Sequence, residues 1–233
     1  MIPTSGLVEH LSAPYDRPQV MLQTFNTRRF TSPALLFLAF SAIGLSTVAA
    51  AQTIGAITQA TLGELIANTG KETAGAANAD VTLVEYFDYN CPFCRELAPD
   101  LQSLIAQDHK VAVVYKDWPI FGGVSVYAAR AALAAAWQGK YLIAHDTLIG
   151  GPRLTQEDQV DAELKAAGVD MAALARDRTN HAAEIDALLR RSDAEAHALG
   201  IRGTPGVLVG RQILPGTVNL AGLKLLVSRA RQK

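Results

Sequence analysis

Hydrophobic side chains recur along this chain in two periods, and the switches between them mark its elements. Residues 81–87, VTLVEYF, form a β-branched and aromatic run between the polar stretch AANAD and the bend DYN, which predicts a buried strand. Val81, Leu83, Glu85 and Phe87 share one face of it by the two-residue period. From residue 92 to about residue 107 the period lengthens. Leu97, Leu101, Leu104 and Ile105 make a helical stripe, and Pro92 suits the first helical turn. A second strand follows in VAVVYK, residues 111–116.

The next stretch is alanine-rich and helical in period. VYAARAALAAAWQGKYLIAHDTLI predicts one or two helices around Leu133 and Trp137. LTQEDQVDAELKAAGVD predicts a helix capped by Thr155 and ending at Gly168, and the sequence from Met171 continues helical to Gly200. IRGTPGVLVGRQILPG then reads as a loop and hairpin, and LAGLKLLVSRARQK as a last amphipathic helix. Before the first strand, Ile54, Ile57, Thr61, Leu62 and Leu65 have helical spacing, and ANTGKETAGAANAD reads as a linker. Three roles fit residues 52–80: dimerisation, packing on their own domain, or a mobile arm.

With 49% hydrophobic residues in 233, one domain of ordinary size builds its core without covalent help. The 21 basic residues against 22 acidic ones, with no basic-aromatic stripe, give no reason to expect nucleic acid or an anionic membrane as partner. Residues 1–51 carry the parts of an export signal. Arg28 and Arg29 precede an apolar run over residues 33–48, and Ala49 and Ala51 form an A-x-A cleavage site. The run is too short and too rich in small residues for a membrane anchor. Polar residues 1–20 are out of place ahead of such a signal, so Met21 is the expected start and Ala51 the last residue removed. The general secretory route is favoured over twin-arginine export, because Thr31 and Ser32 stand where apolar residues are wanted. The expected location is the periplasm.

Export changes the meaning of the only two cysteines, Cys91 and Cys94, separated by Pro92 and Phe93. As a structural staple their bridge closes a tiny loop and constrains little of the unfolded chain. As a metal site the pair lacks further ligands, since His109, His145, His181 and His197 are scattered without ligand spacing. No metal or cofactor is expected. Redox chemistry is the favoured use. Cys91 falls at the start of the predicted helix, where free amides and the helix dipole favour a thiolate. Cys94 lies one turn inward, in reach of a mixed disulfide formed at Cys91. A structural role is disfavoured because it leaves an exposed thiolate-stabilising site without purpose.

FDYNCPFC resembles the active-site segment of the DsbA-like thiol:disulfide oxidoreductases of thioredoxin fold. Glu85 stands six residues before Cys91, where such proteins carry a buried acid, and Pro99 stands where they have a kink-forming proline. IRGTPGVLVGRQILPG resembles their cis-proline loop and hairpin, which makes Pro205 the cis-proline with Thr204 before it. The resemblance implies an α/β thioredoxin fold over residues 81–233 with an all-helical insertion at about 124–200. It implies Cys91 as nucleophile, Cys94 as resolving thiol and Glu85 as acceptor of the resolving proton. Thr204, Pro205, Pro92 and Phe93 shape the substrate groove. Lys116 is a candidate partner for Glu85. The substrates would be cysteine-containing exported proteins, with a membrane redox partner to recycle the pair.

The favoured reaction is oxidation, the enzyme passing its Cys91–Cys94 disulfide to folding proteins. Two alternatives stand beside it. An isomerase or reductase is suggested by the absence of a histidine between the cysteines and by Thr204, which is similar to isomerases and to ScsC-like copper-tolerance relatives. The dithiol also suits Cu(I) as a soft ligand pair, although Met171 is the only methionine after residue 51.

Overall fold

A computed structural model describes residues 59–67, 72–214 and 217–232. The export signal, its start at Met21 and its cleavage after Ala51 lie outside the described residues. In chain order the elements are α1 (Gln59–Ala67), β1 (Thr73–Gly75), β2 (Val81–Phe87), α2 (Pro92–Gln107) and β3 (Val111–Asp117). Five helices follow: α3 (Gly123–Ala135), α4 (Tyr141–Gly150), α5 (Glu157–Ala166), α6 (Met171–Asn180) and α7 (Ala182–Ala198), with a short 3-10 turn at Ala136–Gln138. The hairpin β4 (Gly206–Val209) and β5 (Gln212–Leu214) and the helix α8 (Leu220–Arg231) complete the described chain.

The sheet has the order β1-β3-β2-β4-β5. β2 and β3 run parallel, joined through α2, and the other pairs are antiparallel. Helices α3 to α7 lie between β3 and β4 in sequence. Every position of β3 is buried, so both faces of the sheet are covered. One face packs against α2, α4 and α8 through Leu83, Phe87, Leu101, Leu104, Leu148 and Leu223. The other packs Val84, Tyr86, Val114 and Trp118 against Leu62, Leu65 and Ala196. α1 therefore packs on its own domain through Leu62 and Leu65, while Ile54 and Ile57 of the stripe lie outside the described residues. None of the helices among the described residues is long and apolar enough to cross a membrane.

Several sequence expectations shift. The linker contains strand β1, whose residues pair with β3 from Thr73↔Val114 to Gly75↔Ala112. A three-residue strand at a sheet edge carries too little periodicity to show in sequence. Gly75, at φ +97°, meets the backbone of Val111 where a Cβ would sit, so the glycine is what permits that edge. Thr155 is not the cap of α5. Gln156 holds that place without a side-chain hydrogen bond, and the Thr155 amide donates instead to Gln159 Oε1 at 2.9 Å. The long helical run after Met171 breaks at His181 into α6 and α7.

Lys116 is also placed differently. Its register puts it on the face opposite Glu85, whose partner across β2–β3 is Tyr115. Lys116 Nζ pairs with Glu195 Oε2 of α7 at 3.1 Å, and the Tyr86 hydroxyl donates to the same oxygen at 3.1 Å. Trp118 Nε1 adds a 2.9 Å bond to Asp193. These three bonds fasten α7 across the second face of the sheet. Lys116→Met strands the Glu195 carboxylate and is expected to destabilise by about 2–3 kcal/mol. The double variant Lys116→Met/Glu195→Gln, which removes the charge but keeps an acceptor for Tyr86, is expected to recover most of that in urea unfolding.

Candidate active site

The site begins at the end of β2. Asp88 closes the strand and is fully buried, and its carboxylate organises the turn that follows. Oδ1 accepts from the Asn90 amide at 2.8 Å and from the Ser125 hydroxyl at 2.7 Å, and Oδ2 accepts from the Phe121 amide at 3.0 Å. Asn90 in turn accepts from the Leu154 amide at 3.0 Å and donates to Ser125 at 3.2 Å. Arg95 donates to the carbonyls of Tyr89, Leu148 and Gly151. The bend DYN and the first turn of α2 are thus sewn to the inserted helices by short polar side chains. In sequence, Asp88 and Asn90 mark a bend but not their distant partners.

Cys91 is the N-cap of α2 with extended backbone, its amide bonded to the Asp88 carbonyl, and Pro92 is the first helical residue. Pro99 lies inside the helix without ending it. Both thiols are unbridged and buried, Cys91 exposing 2% of its surface. The exposed thiolate expected from the sequence is therefore corrected to a recessed one. Phe93, at 56% exposure, stands out beside it.

The environment of the two sulfurs differs sharply. A hydrogen bond from the Cys94 thiol is the largest cause holding the Cys91 pKa down at about 6, against the opposing effect of burial. The amides of Phe93 and Cys94 assist. When protonated, Cys91 donates instead to the Thr204 carbonyl, with Sγ 3.1 Å from that oxygen. Cys94 is pushed far upward, by burial first, then by its hydrogen bond to Cys91 and the charge of Glu85. The pair therefore holds one proton in common, on Cys94, with the negative charge on Cys91.

Glu85 is buried at 3% exposure, and its carboxyl makes no hydrogen bond or ion pair among the described residues. Burial, followed by repulsion from the Cys91 thiolate, pushes its pKa up to about 8. A buried acid titrating near neutral pH beneath a dithiol is suited to proton transfer. The Thr204–Pro205 bond is cis. Thr204 and Pro205 form one wall of a groove of about 800 Å³ whose apolar lining includes Phe93, Ile201, Ile213 and Leu214. The structure thus gathers Cys91, Cys94, Glu85, Phe93, Thr204 and Pro205 at one place, whereas Pro92, beside Cys91 in sequence, does not line this groove and Lys116 lies on the opposite face of the sheet.

A second buried cluster lies under the site and was not visible in the sequence. His145 of α4 packs 4.0 Å from the Tyr115 ring and 4.8 Å from Phe87, between centroids. Burial lowers its pKa to about 3 and keeps the imidazole neutral. The Tyr141 hydroxyl donates to Asp117 Oδ2 at 2.7 Å, and burial raises the Asp117 pKa to about 8. An isolated histidine in an apolar helix gives no sign of such neighbours until the fold supplies them. Among the described residues, no three His, Cys, Asp or Glu side chains converge as a metal site.

The sequence matches the DSBA-like thioredoxin domain family over residues 82–227. Among solved structures, a thioredoxin-like oxidoreductase from Silicibacter pomeroyi is 42% identical with a TM-score of 0.66, over 69% of this chain and 92% of that one. The catalytic domain of Proteus mirabilis ScsC is 28% identical with a TM-score of 0.65, over 75% and 96%. The probable disulfide bond formation protein D of Bacillus anthracis is 26% identical, over 63% of this chain and 72% of that protein. A Na(+)/H(+) antiporter NhaA 3 of Salinispora tropica is 32% identical over 67% of this chain, which spans only 24% of the antiporter's length.

Thiolate absorbance of the reduced protein at 240 nm is expected to titrate near pH 6, and Cys94→Ala to move the midpoint upward by removing the largest stabilising bond. Stability follows with opposite signs. The Cys91 contribution is present above the ordinary thiol range and is lost as pH falls through about 6. The Glu85 contribution is full below its ordinary pKa and is lost as pH rises through about 8. Glu85→Gln is therefore expected to gain stability over the parent as pH rises from 5 to 9, read by urea unfolding at each pH. A constant difference would contradict a buried titrating carboxyl.

Proposed function

This chain belongs to the DSBA-like thioredoxin-domain family, and from that premise we propose that it is a thiol:disulfide oxidoreductase that works as an exported oxidase of folding proteins in the periplasm. The observation that carries the direction is the stabilised thiolate on Cys91. A thiol with a low pKa is a good leaving group, and its stability favours the reduced enzyme as product.

In the proposed cycle a substrate thiolate attacks Cys91 Sγ of the Cys91–Cys94 disulfide. The S–S bond breaks, and Cys94 leaves and takes a proton from the neutral Glu85 carboxyl. A second substrate thiolate then attacks the substrate sulfur of the mixed disulfide and expels Cys91 as a thiolate. The substrate loses two electrons and gains a disulfide, while the enzyme becomes the dithiol. Thr204 and Pro205 present the edge along which an extended substrate lies, and Pro92 and Phe93 flank the sulfur under attack. A membrane redox partner restores the disulfide. Export rests on the signal-like residues 1–51, and the periplasmic setting on the family.

Equilibration with glutathione buffers and mass-spectrometric readout of Cys91 and Cys94 tests the direction. The expected potential is about −120 to −150 mV, well above the glutathione couple. A value of about −250 mV or lower would overturn the oxidase reading in favour of a reductase or of an isomerase kept reduced. Glu85→Gln is expected to slow the first step, in which Cys94 leaves and is protonated, about tenfold or more while leaving Cys91 alkylation intact.

A further inference from the structure

A second groove opens on the other side of Cys91. The dipeptide between the cysteines is divided: Phe93 lines the groove of Thr204 and Pro205, whereas Pro92 lines a separate groove of about 700 Å³. The walls of the second groove come from the start of α2, the loop between β3 and α3, and the loop between α4 and α5. It is bounded by Pro92, Phe121, Val124 and Leu154 on its apolar side and by Arg95 and Arg153 on its charged side. No carboxylate lines it.

Its electrostatics are unbalanced. Arg95 spends its donors on three backbone carbonyls, so no acid neutralises its charge. Arg153 is exposed and has no carboxylate within ion-pair distance among the described residues. The nearby Asp88 is buried beneath the turn with both oxygens occupied by hydrogen bonds. The apolar rim is unusually open: Phe121 is 59% exposed, one of only five large hydrophobic side chains so exposed among the described residues. Gly122 and Gly123, at φ +66° and +45°, supply the turn that follows Phe121. The Asp88 bond to the Phe121 amide and the Asn90 bond to the Leu154 amide tie both walls to the active-site turn. The groove is therefore shaped before a partner arrives, which reduces the ordering cost of binding.

We propose that this groove receives the segment of a protein substrate lying on the far side of its cysteine from the Thr204–Pro205 edge, and that it selects acidic residues accompanied by an apolar side chain. The occupant follows from the lining: a carboxylate answers Arg95 and Arg153, and an apolar side chain covers Phe121 and Pro92. Arg153 and Phe121 are the specificity-determining residues, and Arg95 sets the potential behind them. The proposal rests on the oxidoreductase reading above, since it takes Cys91 as the point where the substrate crosses between the grooves.

The test uses the full chain and synthetic peptides with one cysteine. Each peptide carries Asp-Leu, Asp-Ser or Lys-Leu, placed either before or after that cysteine. The rate of mixed-disulfide formation with the oxidised enzyme is read, with glutathione as the reference thiol. On one side of the cysteine only, Asp-Leu is expected to react about fivefold faster than Lys-Leu at low salt, and the preference to fade at high salt. Arg153→Glu is expected to invert the ratio, and Phe121→Ala to abolish the benefit of leucine. Both are ratios within one protein, so a partial loss of folded enzyme does not imitate them. Normal glutathione exchange with no charge preference on either side would overturn this inference and leave the oxidoreductase reading standing. Absence of exchange with glutathione and with every peptide would overturn both. A preference that appears only as the enzyme self-associates would assign the groove to a second copy of the chain, and would also overturn it.

Discussion

The hydrogen bond from the Cys94 thiol to the Cys91 sulfur is the interaction around which the reacting end of the molecule is arranged. It asks for contradictory surroundings within one helical turn: a place where negative charge is tolerated and a place where it is not. The fold meets both demands by setting Cys91 at the first turn of α2, where amides point outward, and Cys94 one turn deeper, against the sheet. Glu85 extends the same gradient downward. It is an acid that burial keeps protonated in the pH range where Cys91 is already ionised. Acidities that would lie in the opposite order in water are inverted by position alone.

That arrangement depends on the sheet being closed on both sides. The inner face seals Cys94 and Glu85 from water with α2, α4 and α8. The outer face carries its own ionic anchor, in which Lys116 and Tyr86 share Glu195. Lys116 is thereby committed to holding α7, and Tyr115 takes the place beside Glu85 in the register. A neutral neighbour leaves the carboxyl without a counter-charge, which is one reason its pKa stays high.

What the sequence made legible follows from range. The strand VTLVEYF, the helix from Pro92 and the paired cysteines are local patterns, and so are Glu85 and its burial. Thr204 and Pro205 lie 113 and 114 residues from Cys91, and only family resemblance connected them to it before the fold did. Contacts with no local signature stayed hidden: the short strand β1, the ties from Asp88, Asn90 and Arg95 into the insertion, and the packing of His145 on Tyr115. Strand parity decided Lys116. A shift of one position exchanges the two faces, and spacing alone does not say which face of β3 meets Glu85.

The division of the inter-cysteine dipeptide between two grooves makes the active-site motif a watershed. Phe93 drains toward the cis-proline side and Pro92 toward the inserted helices, with the reactive sulfur on the ridge between them. Two neighbouring positions in sequence therefore belong to two different landscapes of recognition. A lineage that alters one of them can retune the partners met on its slope while the terrain on the other slope, and the sulfur at the crest, keep their form.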